Sequence, residues 1–222
     1  MTPTLTRIRL NLASRAVRRD LADVVQLHRT LMRLAPPGLG PTPRQQAGVL
    51  FRLESRTRHP TLLVQTLDTP HTEELPARYG DIATHDLTPL FTHLTPGRTV
   101  RYRITTSPLT HRPSREILSH RPDGTAQRGR GTPTPLYGRH ALDWWQHRAH
   151  TAGLDVLRAT LTPCAFPRRD PGGPRHTLSR FDGTARISDP TALADALRTG
   201  LGTAKSYGAG LLTLAPAPTG DA

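Results

Sequence analysis

The sequence contains one cysteine, Cys164, and one lysine, Lys205, among its 222 residues. A single cysteine excludes an internal disulfide, and it excludes zinc sites that need paired thiolates. A reducing compartment suits such a chain, so we expect a cytoplasmic protein. No apolar run approaches the roughly 20 residues of a membrane-spanning helix, and we therefore expect a soluble protein without a membrane partner.

Acidic side chains are also scarce. The 17 acidic residues are outnumbered by 30 basic ones, which gives a formal charge of +13. A GC-rich genome explains why arginine replaces lysine, but it does not explain the excess of basic over acidic residues. The charge is larger than solubility requires, and it indicates a polyanionic partner, of which nucleic acid is the first candidate.

Motifs for common cofactors are missing as well. The glycines near the C-terminus do not have the spacing of a P-loop or a dinucleotide-binding fingerprint, so ATP is not predicted. His140, His147 and His150 share one predicted helix, but no carboxylate or thiolate follows at a convincing ligand spacing. We expect neither a cofactor nor a metal.

The first half of the chain predicts a strand followed by a short helix. Apolar and polar residues alternate around Ile8, as in a half-buried strand. Asp23 is a suitable N-cap for the helix, and the prolines at 36 and 37 end it. The apolar stripe of this helix, which places His28 on its flank, comprises Val24, Leu27, Leu31 and Leu34.

The rest of the first half adds further strands and a second helix to these elements. The runs 48–55 and 61–67 predict a hairpin. Weaker signals predict a short helix near Glu73 and a strand over 87–94. Together these elements give the order β-α-β-β-α-β and a first domain at residues 1–95.

The second half repeats the order in a domain at residues 96–222. It has a strand near 100–106, a helix at 138–154 with Trp145 inward, two strands around a basic tip, a helix after Asp189 and a last strand. Three connecting segments complete this domain: a mobile basic loop at 108–139, a basic hairpin at 164–183 and a glycine-rich loop at 200–210. The fold class is α+β, with two tandem ferredoxin-like domains.

Two end motifs resemble a known family. The block NLASRAVRRDLADVVQLHRTLMRL at 11–34 and the block GLGTAKSYGAGLLTLAP at 200–216 are similar to the CasE family, the CRISPR RNA-processing endoribonucleases of the type I-E Cascade complex. The resemblance implies two RRM-like domains that bind the stem-loop of a CRISPR repeat and cut it without metal. It also implies that one copy stays on the crRNA 3′ hairpin beside other Cascade subunits.

The same resemblance implies a catalytic role for His28. In such enzymes the ribose 2′-oxygen attacks the neighbouring phosphorus and leaves a 2′,3′-cyclic phosphate and a 5′-hydroxyl. An imidazole suits the proton transfer because its ordinary pKa is about 6.5. Some relatives carry a tyrosine one helical turn earlier, where this chain has Val25. Either the bound RNA geometry suffices, or another group such as Lys205 or Ser206 takes the second role.

The glycine-rich loop is a candidate for contact with the RNA backbone. Glycine tolerates positive φ and close approach, and one ammonium group suits one phosphate. The alternative is that the glycines only turn a helix into a strand. The predicted contacts of this loop are Gly200, Gly202, Lys205, Gly208 and Gly210.

Arginines elsewhere are further candidates for RNA binding. Three at the hairpin tip resemble the family's basic hairpin, two in the basic loop match it only by location, and two lie beside His28. Solvated surface charge is the alternative in each case. The arginines at the hairpin tip are Arg168, Arg169 and Arg175, those in the basic loop are Arg112 and Arg115, and those beside His28 are Arg15 and Arg29.

Two other functions remain open from the sequence. Val25 leaves room for a non-catalytic subunit that binds the RNA hairpin and caps the Cascade complex. An unrelated RRM-type regulator is disfavoured, because neither RNP aromatic signature is present.

Overall fold

The computed structural model describes residues 2–55, 59–111, 131–164 and 177–217, together with the backbone of 117–120 and 126–128. Within them lie two four-stranded antiparallel sheets with helices packed against them. No helix in these ranges is both long enough and apolar enough to cross a bilayer.

The first half forms one of the two sheets. Its strands are ordered β2-β3-β1-β4, and every neighbouring pair is antiparallel. A single 3-10 turn, Thr72–Glu74, stands where a second crossover helix would lie. The elements are β1 (Thr4–Leu10), α1 (Arg15–Ala22), α2 (Val24–Leu31), α3 (Pro43–Gln46), β2 (Leu50–Glu54), β3 (Thr61–Thr66), β4 (Gly80–Asp86) and α4 (Thr88–Thr92).

The second half forms the other sheet, ordered β10-β11-β5-β12. Two small hairpin-like pairs, β6 with β9 and β7 with β8, lie between its first strand and its first helix. The elements are β5 (Thr99–Thr106), β6 (Leu109–His111), β7 (Ile117–His120), β8 (Ala126–Arg128), β9 (Pro133–Pro135), α5 (Gly138–Thr151), β10 (Leu154–Cys164), β11 (Leu178–Ile187), α6 (Pro190–Thr199) and β12 (Thr213–Pro216).

Both sheets share one topology. When the four strands of each sheet are numbered along the chain, their order across the sheet is 2-3-1-4, the arrangement of a ferredoxin-like fold. The predicted fold class is therefore confirmed. The boundary at residue 95 stays a prediction, and Leu90 and Phe91 of α4 pack against the core of the second half.

Helix α2 forms as its sequence predicts. The N–H of Val25 donates to Asp23 Oδ1 at 3.0 Å, which satisfies one of the free amides at the start of the helix. The apolar stripe faces the sheet and packs with Phe51. Its members are all buried: Val24, Leu27, Leu31 and Leu34.

The core of the second half is built around Trp145 of α5. This side chain is fully buried and stacks against Phe181, with ring centroids 5.4 Å apart. Its indole N–H donates to the Tyr102 hydroxyl at 3.0 Å, which satisfies the one polar atom of the ring.

Polar side chains join the two halves. Arg52 of β2 is buried and donates to the carbonyl oxygens of Leu211 at 2.9 Å and Arg103 at 3.1 Å. Its remaining partners are Glu54 and the Thr213 hydroxyl. These bonds fix the relative position of the two sheets.

One local prediction was wrong, and a second segment contains elements that the sequence did not predict. The segment 87–94 is not a strand: Thr88–Thr92 is a helix, since Pro89 suits a first turn and Asp86 Oδ1 accepts from the Thr88 N–H. The strand is Gly80–Asp86, whose solvent-facing polar residues weaken the apolar signal. The segment predicted as a mobile loop, 108–139, contains short paired strands, β6 to β9, because backbone pairing needs no apolar periodicity; its mobility stays a prediction.

Candidate active site

His28 lies on the face of α2 that borders the first core. Its ring stacks over Phe51 with centroids 6.2 Å apart and planes inclined by 21°. In the part of the chain that the structure describes, the buried Nδ1 atom has no hydrogen-bond partner. An unpaired buried polar atom costs about 1–3 kcal/mol, and such costs are tolerated where they serve function.

The surroundings of His28 favour a neutral imidazole. Burial, and then the positive charge of Arg44, lower the pKa of His28 below 6.5. The ring is therefore unprotonated at neutral pH, and a neutral imidazole accepts a proton.

The glycine-rich loop follows α6 and approaches the first half. All four predicted glycines, Gly200, Gly202, Gly208 and Gly210, have positive φ. A Cβ atom on Gly202 would lie 2.4 Å from Thr106 Oγ1, and one on Gly200 would lie 2.7 Å from Leu50 Cδ2. At these two positions glycine is required by the chain's own packing, which agrees with the alternative that they turn a helix into a strand.

Lys205 and Ser206 lie in a 3-10 turn, Lys205–Tyr207, in the middle of this loop. Lys205 Nζ donates to the carbonyl oxygen of Thr199 at 2.8 Å, which anchors the ammonium group at the C-terminus of α6. Burial, and then the charge of Arg44, lower the pKa of Lys205. Tyr207 packs against the core of the first half, so the turn connects the two sheets.

A cleft of about 390 Å³ opens beside this turn. It is lined by Arg44 and by residues 202–207, and none of them is acidic. Arg44 influences both His28 and Lys205 electrostatically, and α2 contacts the 205–207 turn. The two sequence motifs, far apart in the chain, therefore contact each other beside this positively charged cleft, which the glycine-rich loop and Arg44 line.

Sequence reasoning missed Arg44. It stands in the segment PTPRQQ, which has no apolar period and no motif, between the first helix and the first hairpin. Only the four-residue helix α3 and the fold around it bring this guanidinium to the cleft. No local sequence signal could have found it.

The arginines predicted beside His28 are exposed. Arg15 lies on α1 and Arg29 on α2, and the side chain of neither makes a hydrogen bond or ion pair within the described ranges. Val25, one turn before His28, is 38% exposed and has no proton to transfer. The remaining predicted contacts lie outside the described residues: Arg112, Arg115, Arg168, Arg169 and Arg175.

Comparison with known proteins decides the family. A model of the CRISPR-associated protein family matches residues 5–216, nearly the whole chain. The chain belongs to this family. The family membership expected from the two end motifs is thereby confirmed.

Three relatives show how far the likeness extends. The CRISPR-associated endoribonuclease Cse3 of Thermus thermophilus is 29% identical over 96% of this chain and 99% of its own length. The structure of Thermus thermophilus Cse3 bound to an RNA representing a pre-cleavage complex matches with 26% identity and a TM-score of 0.76, over 97% of this chain and 100% of that one. A chain of a CRISPR RNA-guided surveillance complex in a pre-nicking state matches with 35% identity and a TM-score of 0.62, covering 96% and 100%.

Proposed function

We propose that this chain is an endoribonuclease that cleaves CRISPR precursor RNA at the repeat stem-loop and stays bound to the product hairpin. The observation that carries the proposal is the contact of α2, which carries His28, with the 205–207 turn of the glycine-rich loop, beside a basic cleft whose lining has no acidic residue. The named activity of its relative Cse3, and the RNA in that protein's pre-cleavage complex, support the substrate class.

His28 is the general base in this proposal. Its neutral ring takes the proton of the ribose 2′-hydroxyl, and the freed oxygen attacks the adjacent phosphorus. The bond from phosphorus to the 5′-oxygen breaks, which leaves a 2′,3′-cyclic phosphate on one product and a 5′-hydroxyl on the other. The reaction as written consumes no water and needs no cofactor.

The 5′-oxygen leaves more easily if it receives a proton. Lys205 supplies it in our proposal, because burial and Arg44 make its ammonium a stronger acid than an exposed lysine. Ser206 follows it in the same turn and is a second donor for the phosphate oxygens. The absence of a titratable group at Val25 leaves this task to the glycine-rich loop.

The glycine-rich loop and the arginines hold the RNA. The loop's backbone and Lys205 contact the phosphodiester, while Arg15 and Arg29 present free charges on α1 and α2 for neighbouring phosphates. The basic hairpin between β10 and β11 contacts the RNA stem. The partners are the crRNA and the other Cascade subunits, as the match to a surveillance-complex chain supports.

Incubation of the protein with repeat RNA in EDTA tests the proposal. Wild-type protein should produce a cyclic phosphate end, and His28→Ala should slow single-turnover cleavage by about 100-fold to 10,000-fold. His147→Ala, which changes an exposed histidine of α5, should cleave like wild type. Intact RNA that still shifts on a gel with wild-type protein would instead identify a non-catalytic hairpin-binding subunit, the function that Val25 favours.

A further inference from the structure

The most informative group outside the sequence motifs is Arg44. Its Nη1 atom donates to the Val49 carbonyl at 3.3 Å, and this is the one hydrogen bond of its side chain among the residues that the structure describes. No carboxylate pairs with it in those ranges. The guanidinium is thus held at one nitrogen and keeps its other donors for a ligand.

The position of Arg44 is electrostatically unfavourable in the absence of a ligand. It lines the same cleft as Lys205, and half-buried like charges disfavour each other. No acidic residue lines the cleft to relieve the repulsion. An anion placed between the two cations would relieve it, and the charge of the cleft is therefore complementary to a phosphate.

We propose that Arg44 binds the non-bridging oxygens of the scissile phosphate from the side of the first domain, opposite Lys205 of the second. This inference rests on the proposed function and adds a residue that neither end motif contains. A planar guanidinium donates two parallel hydrogen bonds to one phosphate, which a lysine cannot do. Charge on these oxygens grows as the 2′-oxygen attacks, so the contact strengthens in the transition state.

The proposal also concerns the contact between the two domains. Arg44 belongs to α3 of the first half and Lys205 to the loop of the second, so a phosphate between them is held only while the halves stay docked. The electrostatic lowering of the pKa of both His28 and Lys205 by Arg44 is consistent with one shared site. RNA binding should then strengthen the contact between the halves.

Single-turnover cleavage of repeat RNA at saturating enzyme tests Arg44, with affinity measured separately on a 2′-deoxy RNA that cannot be cut. Arg44→Gln should lower the cleavage rate constant by about 100-fold to 1,000-fold, the typical effect of removing one oxyanion donor, and change the affinity much less. Arg44→Lys should recover part of the rate, because charge returns without the two-pronged geometry. Arg186→Gln, an exposed arginine of β11 outside the cleft, is the matched control and should cleave normally.

The outcomes separate this inference from the proposed function. If wild-type protein cleaves and His28→Ala does not, but Arg44→Gln cleaves at the wild-type rate, the assignment of Arg44 is wrong and the function stands. A loss of affinity without a loss of rate would place Arg44 at a neighbouring phosphate and would also overturn it. Circular dichroism shows whether a variant has folded. If Arg44→Gln has not, the cleavage rate of Arg44→Lys is compared with that of wild type, and an unchanged rate would contradict the assignment of Arg44.

Discussion

Gln65 Nε2 donates to the carbonyl oxygen of Leu197 at 2.7 Å. Gln65 is a buried residue of β3 in the first half, whereas Leu197 lies in the last turn of α6 in the second. The last carbonyl groups of a helix have no partner within the helix, and here a side chain from the other sheet provides one. The bond therefore joins the two halves directly before the chain enters the glycine-rich loop.

Gln65→Leu should destabilise the protein. The substitution keeps the volume but leaves a buried carbonyl without its donor, at a cost of about 1–3 kcal/mol in the free energy of unfolding. Urea denaturation measures the change. Gln146→Leu, on the exposed face of α5, should have little effect, and equal stability of the two variants would contradict the role of this bond.

Stability should also fall in acid because of Glu54. Burial by itself raises the pKa of this carboxyl, but the neighbouring Arg52 and Arg103 lower it by a larger amount. The resulting pKa of Glu54 therefore lies below the ordinary value of 4.5. A carboxyl with a lowered pKa contributes stability above its unfolded pKa and loses it as the pH falls through the folded one. The free energy of unfolding should therefore drop below about pH 4.5, and Glu54→Gln should show a smaller drop over the same range.

The rate of cleavage should depend on pH through His28. A general base acts in its neutral form, and burial and Arg44 lower the pKa of His28 below 6.5. The single-turnover rate should thus still exceed half of its plateau value at pH 6.5 and reach half only at a lower pH. A decline that is already half complete above pH 6.5 would show that His28 does not act as the base, or that bound RNA raises its pKa.

Gly202→Ala should disturb the glycine-rich loop. The new Cβ atom would lie 2.4 Å from Thr106 Oγ1, and the residue has a φ of +81°. Gly38→Ala is a close control, since its φ of +78° is similar but nothing lies within 4 Å of its added Cβ. We expect Gly202→Ala to lose more stability than Gly38→Ala and to slow cleavage at saturating enzyme.

Combining Gly202→Ala with Thr106→Ala separates the effect of the steric contact from the effect of the positive φ. Removal of the Thr106 hydroxyl takes away the contact at 2.4 Å but leaves the positive φ. The double variant should therefore recover part of the lost stability and cleavage, up to the level that backbone strain allows. No recovery would show that backbone conformation, and not the contact with Thr106, is what requires a glycine.

Local features of the sequence predicted much of the fold. Asp23 caps α2, its apolar stripe is buried, and Trp145 lies in the core of the second half, because capping and amphipathic periodicity act within a few residues. The segment 87–94 was mispredicted because its apolar residues pack against the other half of the molecule. That contact does not follow from periodicity.

The candidate site, too, was predicted from the sequence only in part. His28, Lys205 and Ser206 were predicted from the motifs of a resembling family, and their catalytic roles stay predictions. Arg44 has no motif and is placed at the cleft by α3, which is only four residues long. The lowered pKa of His28 likewise depends on burial and on a charge from another element.

By itself, then, the amino-acid sequence determined the strongly basic charge, most of the order of strands and helices, and which chemical groups are available. The tertiary structure alone decided that α2, which carries His28, contacts the turn of Lys205 beside a cleft that Arg44 lines. The reason is physical: propensity, capping and amphipathicity depend on neighbours along the chain, whereas desolvation and Coulomb interaction depend on distance in space.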